Sequence, residues 1–272
     1  MRGTMLYLFF GSLILTFCLY KSLNMQKMHD GVDGLDVDQN KFWATFAFYI
    51  LIDLICGNVV NSVLTMLCTI FLKCDILQVH LHVLSTFFSK ALVLLVVLLY
   101  SRKIGIFSKR PGQKRSLFPF TKSTVSNFIV AISLAYLSYL IWNIALDFLK
   151  KFGIDIDLEE QVPLKLLSDI TNVFFLTLFI FQIIIVAPIV EELVFRGYIY
   201  RVLKSKSNKN VACIVTSIVF SFLHFNVAAF VPLFVFSMCL IKAYEDSSDI
   251  REPIVMHSLF NTVGVIGALI KV

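Results

Sequence analysis

Two adjacent carboxylates, Glu191 and Glu192, end a stretch that is otherwise almost wholly apolar: TNVFFLTLFIFQIIIVA runs before them at 171–187, and Arg196 follows. Charge inside such a run is costly, and ionisable groups there usually face a bundle interior or a water-filled cavity and mark function. Two of the five histidines, His224 in VFSFLHFN and His257 in PIVMHSLFNTVG, fall inside apolar runs late in the chain. Three pairs stand at i, i+4: Phe220 with His224, His257 with Asn261, and Glu192 with Arg196. Each pair shares a helix face, and the last has the spacing of an intrahelical salt bridge. A carboxylate beside a histidine can activate water as a general base. A histidine and an asparagine amide can donate hydrogen bonds to a developing oxyanion. Together they suit amide hydrolysis without a covalent intermediate. No G-x-S-x-G elbow and no H-E-x-x-H motif occurs, and no cysteine stands in a nucleophile context.

The elements that position these residues must be membrane helices. Of the 272 residues, 58% are hydrophobic and 15% charged, where a soluble domain carries about 25% charge; mean hydropathy is +0.84. The composition predicts an all-α, polytopic membrane helix bundle with about eight transmembrane helices, in apolar runs near 5–20, 43–72, 76–100, 124–146, 170–200, 210–225, 227–242 and 253–270. The first run has one basic residue and no A-x-A cleavage site, so it reads as a retained span. Residues 1–169 read as N-terminal helices with a basic loop, and 170–272 as the part that carries the chemistry. The net charge of +6 fits orientation by basic loops rather than nucleic-acid binding. The 101–123 loop holds seven basic residues and no acid, and 201–210 holds four more, so both are expected to be cytoplasmic. The 147–169 stretch reads as an external loop.

Depth follows from counting. Glu191 and His224 flank the basic turn near residue 207 at almost equal distance, roughly 18–20 Å inside the helix ends at 1.5 Å per residue. His257 and Asn261 come out shallower, roughly 6–12 Å by the same rise. A tilted or protruding helix would remove the difference.

In order, EELVFR matches E-E-x-x-x-R, FSFLH matches F-x-x-x-H and HSLFN matches H-x-x-x-N. Over about 170–272 the chain thereby resembles the CAAX protease and bacteriocin-processing enzyme (CPBP, or Abi) family, which includes the Ras-converting endopeptidases. The resemblance implies a glutamic-type intramembrane endopeptidase in the cell (plasma) membrane. In it Glu191 and His224 would hold and activate water, and His257 and Asn261 would line the oxyanion hole. Glu192 and Arg196 would brace the site, and Phe220 would pack beneath His224. It implies no cofactor, a peptide or membrane-protein substrate and a surrounding lipid bilayer.

Two other readings stand beside it. Glu191, Glu192, His224 and His257 offer the mixed ligands of a zinc-dependent membrane protease, a reading disfavoured here. A non-catalytic membrane partner, such as a bacteriocin self-immunity factor or a sensor-kinase regulator, would use the same fold to bind without cutting. Asp53 and Lys90, charged within apolar runs, read as a mutual pair or as snorkelling groups. Asn226 reads as a turn former. The six cysteines read as small buried hydrophobes.

Overall fold

The computed structural model describes residues 59–60, 62–67, 78–106, 122–153 and 162–271. The runs expected at 5–20 and over most of 43–72, with Asp53 and four of the cysteines, lie outside them. The six later apolar runs are all helical, and no strand occurs among the described residues. Among the described residues, five helices are long and apolar enough to cross a membrane: Val79–Lys103, Lys122–Lys150, Val173–Lys206, Val227–Ser247 and Arg251–Ile270. Lys209–Phe222 is a shorter apolar helix. The chain is an all-α integral membrane protein.

The helices fall into two compact units. In the first, α1 (Gln78–Lys103) packs against α4 (Val173–Phe181), and His80 stacks on Phe175 with ring centroids 4.4 Å apart. Asn172 caps α4, accepting from the Phe174 N–H at 2.9 Å.

The second unit contains α2 (Lys122–Lys150), α3 (Val162–Leu166), α5 (Ala187–Val194), α6 (Arg201–Lys206), α7 (Lys209–Phe222), α8 (Val227–Ser247) and α9 (Arg251–Lys271). Its core lies where α2, α8 and α9 meet. Ala131 and Ala135 on α2 leave room for Phe236, Leu240 and Ala243 of α8, and Met256 of α9 closes the cluster. Small residues at such a contact let apolar helices approach closely, which is how packing is gained where lipid offers no hydrophobic drive. The outward side chains of α2, among them Ile129, Leu140 and Ile144, are exposed, as a lipid-facing surface requires. The 147–169 stretch, expected as a loop, turns helical at α3 and packs on α9.

Two rungs fix α8 beside the run through α5 and α6. Arg196 bonds Ser237 and Lys204 bonds Glu245, each pair 41 residues apart in sequence. The rungs are separated by two helical turns, about 12 Å, so the segments run parallel in one register.

Tight turns join α6 to α7 and α7 to α8. Asn208 caps α7 by accepting from Val211 N–H at 2.9 Å. Asn226 caps α8, accepting from Ala229 N–H at 2.8 Å, immediately after Phe225, whose φ of +50° is left-handed. That conformation is uncommon for a bulky residue, and the following cap helps to hold it. Asn226→Ala is expected to lose about 1 kcal/mol of stability and Asn226→Asp to keep most of it, read by denaturant unfolding of detergent-solubilised protein. Equal unfolding of Asn226→Ala and the parent chain would show that the cap contributes nothing.

Candidate active site

The site is built on α5 and the wide turns on either side of it. Gln182–Val186 and Phe195–Tyr200 are π-helical, a departure frequent at functional sites. The first has a cause in the sequence. Pro188 has no N–H and cannot continue a helical ladder. In the i→i+5 pattern the carbonyl that it would leave unpaired is that of Ile183. Asn261 of α9 fills that place, its Nδ2 donating to Ile183 O at 2.9 Å. A proline, a widened turn and an asparagine thus form one device that ties α9 to the segment before α5.

Glu191 and Glu192 are neighbours, so their side chains leave the helix about 100° apart. Glu192 turns inward and is wholly buried, as is Arg196. Arg196 Nη1 donates to Glu192 Oε1 at 2.8 Å. Arg196 Nη2 donates to Ser237 Oγ at 2.8 Å and, more weakly, to Ser237 O at 3.3 Å. The guanidinium carbon lies 4.6 Å from the centroid of the Phe220 ring, within cation–π range. The same Glu192 Oε1 accepts from His257 Nδ1 at 2.7 Å.

Phe220 is the common floor. Its ring lies 4.7 Å from that of His224 and 5.8 Å from that of His257, and Phe195 meets it edge-on at 5.1 Å. Phe236 adds a second aromatic contact to His257 at 5.9 Å.

Glu191 leaves the helix on another side and stays partly exposed. Its side chain is 22% exposed and that of His224 is 24% exposed. His224 Nδ1 lies 2.8 Å from Phe220 O. A carbonyl only accepts, so Nδ1 carries the proton and, in the neutral ring, Nε2 carries the lone pair. That Nε2 lies 3.9 Å from Glu191 Oε2, and His257 Nε2 lies 3.9 Å from the same oxygen. These gaps are too long for direct hydrogen bonds. Glu191 Oε2 has no hydrogen-bond partner among the described residues. Separations of this length are spanned by a bridging molecule rather than by direct contact.

Six of the seven residues singled out in the sequence therefore meet at one place: Glu191, Glu192, Arg196, Phe220, His224 and His257. Asn261 is on the same face of α9 as His257, but its hydrogen bond goes to Ile183. The depth difference expected for His257 does not keep it from the site, since its Nε2 lies 3.9 Å from Glu191 Oε2. Glu191 is about 22 Å from Lys206, and His257 about 9 Å from Arg251, along helix axes. Because the two side chains meet, the α6 end projects roughly 13 Å past the start of α9 if the axes are near parallel.

Sequence reasoning missed Ser237 and Phe236. A serine in the apolar run VPLFVFSMCLI was the available signal, since a buried hydroxyl needs a partner. For a metal, Glu192 is already engaged by Arg196 and His257. No group of three His, Cys, Asp or Glu residues among the described residues is placed to hold an ion. Cys213 and Cys239 are free thiols.

Removing one partner of a buried ion pair strands the other. Arg196→Ala is expected to lose about 3–5 kcal/mol, and the double variant Arg196→Met/Glu192→Gln to lose less than Arg196→Ala alone. Denaturant unfolding in detergent reads both. A single variant as stable as the parent chain would remove the pair from the account.

Residues 173–263 match the family model described as type II CAAX prenyl endopeptidase Rce1-like. The UPF0177 protein YxdF of Lactococcus lactis is 32% identical over 88 residues, which cover 32% of this chain and 47% of that protein. The Bacillus subtilis protein named "Putative membrane peptidase YdiL" is 25% identical over 193 residues, covering 70% of this chain and 73% of that protein. The chain thus spans about half the length of the Lactococcus relative and about three quarters of the Bacillus one. No solved structure matches it. Glu191, Glu192, His224 and His257 all lie inside the matched segment, so the site falls in the part of this membrane protein that is similar to the Rce1-like model.

Proposed function

We propose that the chain is an intramembrane endopeptidase of the cell membrane that hydrolyses a peptide bond with water activated by Glu191 and His224. One observation carries this reading: Glu191 Oε2 faces two imidazole Nε2 atoms, each 3.9 Å away, while the Glu191 and His224 side chains stay partly exposed beside a buried polar cluster. The family match and the peptidase name of the Bacillus relative support it.

Water held between Glu191 Oε2 and His224 Nε2 gives a proton to the carboxylate as its oxygen adds to the substrate carbonyl carbon. The carbonyl π electrons move onto oxygen. Collapse of the tetrahedral intermediate breaks the C–N bond, and the protonated Glu191 returns its proton to the departing amine. The products are a carboxylic acid and an amine, and no protein atom is bonded to the substrate at any step. His257 serves the oxyanion, while Asn261 holds α9 in place through the Ile183 carbonyl. Because His257 Nδ1 is engaged by Glu192, Nε2 donates only when both ring nitrogens carry protons. The substrate is a peptide precursor or a membrane-protein segment entering from the cytoplasmic side.

The test uses purified full-length protein in detergent and an unbiased peptide library, read by mass spectrometry with and without chelator. Glu191→Ala and His224→Ala are each expected to lower cleavage by about 100-fold or more with unchanged helical content, and chelator to have no effect. Cleavage abolished by chelator would transfer the reading to a zinc protease. Full biological function in Glu191→Ala would transfer it to a non-catalytic partner such as an immunity factor.

A further inference from the structure

The chain of hydrogen bonds that ends on His257 begins on a residue outside the three motifs. Ser237 is wholly buried in α8. It is flanked by Phe236 and Met238, in a stretch where an unpaired hydroxyl is unfavourable. Its partner is Arg196 Nη2, received by Oγ at 2.8 Å and by the carbonyl of the same residue at 3.3 Å. A side chain this small lets the α8 backbone come close enough for both contacts. From there the chain runs through Arg196 Nη1 to Glu192 Oε1, and from that oxygen to His257 Nδ1. Three helical segments are joined in this way, and the far ring nitrogen of His257 faces Glu191.

Glu192 and Arg196 share the α5 segment and its continuation, so their i, i+4 bond does not by itself fix where the guanidinium sits relative to α8 and α9. Arg196 has a planar fork with several donors, and its direction is set by whatever accepts from it. Phe220 supplies a face beneath the guanidinium but no directional acceptor. Ser237 supplies the direction.

We propose that Ser237 is a positioning residue: it aims Arg196, Arg196 fixes the Glu192 carboxylate, and Glu192 fixes the ring of His257 opposite Glu191. The proposal deepens the hydrolase reading, and its first readout does not depend on that reading. Ser237→Ala removes the Oγ acceptor, and Ser237→Thr restores a hydroxyl at the same place.

Full-length protein in detergent micelles, with nitrogen-15 in the histidine rings, reports the ring-nitrogen shifts of His257 and their pH titration. His257→Ala assigns the signals. In Ser237→Ala the His257 signals are expected to move and those of His224 to stay, while Ser237→Thr restores the parent pattern. His257 signals in Ser237→Ala that superimpose on the parent chain across the titration would overturn the proposal, whether or not the threonine variant folds. The second arm uses any library peptide that the parent chain cleaves. There kcat of Ser237→Ala is expected to fall roughly 10-fold or more with KM within about twofold, as expected for a displaced catalytic geometry. A parent chain that cleaves no peptide counts against the hydrolase reading alone, and the ring-nitrogen result still decides the role of Ser237.

Discussion

A carboxylate and a guanidinium that have both lost contact with water are the constraint on which the site depends. Glu192 and Arg196 are wholly buried, and bringing such a pair out of water costs several kcal/mol per ion unless geometry and further hydrogen bonds offset it. The surroundings supply those offsets. Ser237 brings two acceptors from α8, His257 brings a donor from α9, and Phe220 offers a ring face from α7. Each offset comes from a different helix, so satisfying one ion pair also sets the spacing of the helices around it.

That arrangement explains why two glutamates stand side by side. Their helical separation of about 100° sends Glu192 into the dry interior and leaves Glu191 partly exposed, beside His224. One carboxylate is committed to structure, and its neighbour is the one that the proposed hydrolysis uses. The π turns on either side of α5 serve the same end. The first frees the Ile183 carbonyl for Asn261, which ties α9 in place beside the segment that carries both glutamates.

Much of this was legible in the sequence, for physical reasons that differ from residue to residue. Hydropathy gave the six helices after residue 76, because apolar runs of that length have few other stable forms. The i, i+4 spacing of Glu192 and Arg196 foretold their bond, and equal counts from the basic turn foretold that Glu191 and His224 lie level. The level of His257 was not legible, because it depends on how far α6 projects past α9, a tertiary offset with no local signature. The use of Ser237 was hidden for a similar reason, since its partner lies 41 residues away. The turn at Gln182–Val186 could have been suspected from Pro188. The turn at Phe195–Tyr200 has no sequence signal that we recognise. The division of labour between His257 and Asn261 also needed coordinates, because their i, i+4 spacing places them on one face without saying that one reaches Glu192 and the other Ile183.

The most direct test of the central claim compares the unfolding of Glu191→Gln with that of Glu192→Gln in detergent. If Glu192 alone secures the buried arginine, Glu191→Gln will unfold within about 0.5 kcal/mol of the parent chain, as changes away from such features do. Glu192→Gln, which leaves Arg196 buried without its counter-charge, will then lose at least about 2 kcal/mol. Equal losses, or a greater loss for Glu191→Gln, would contradict the division of roles between the two carboxylates.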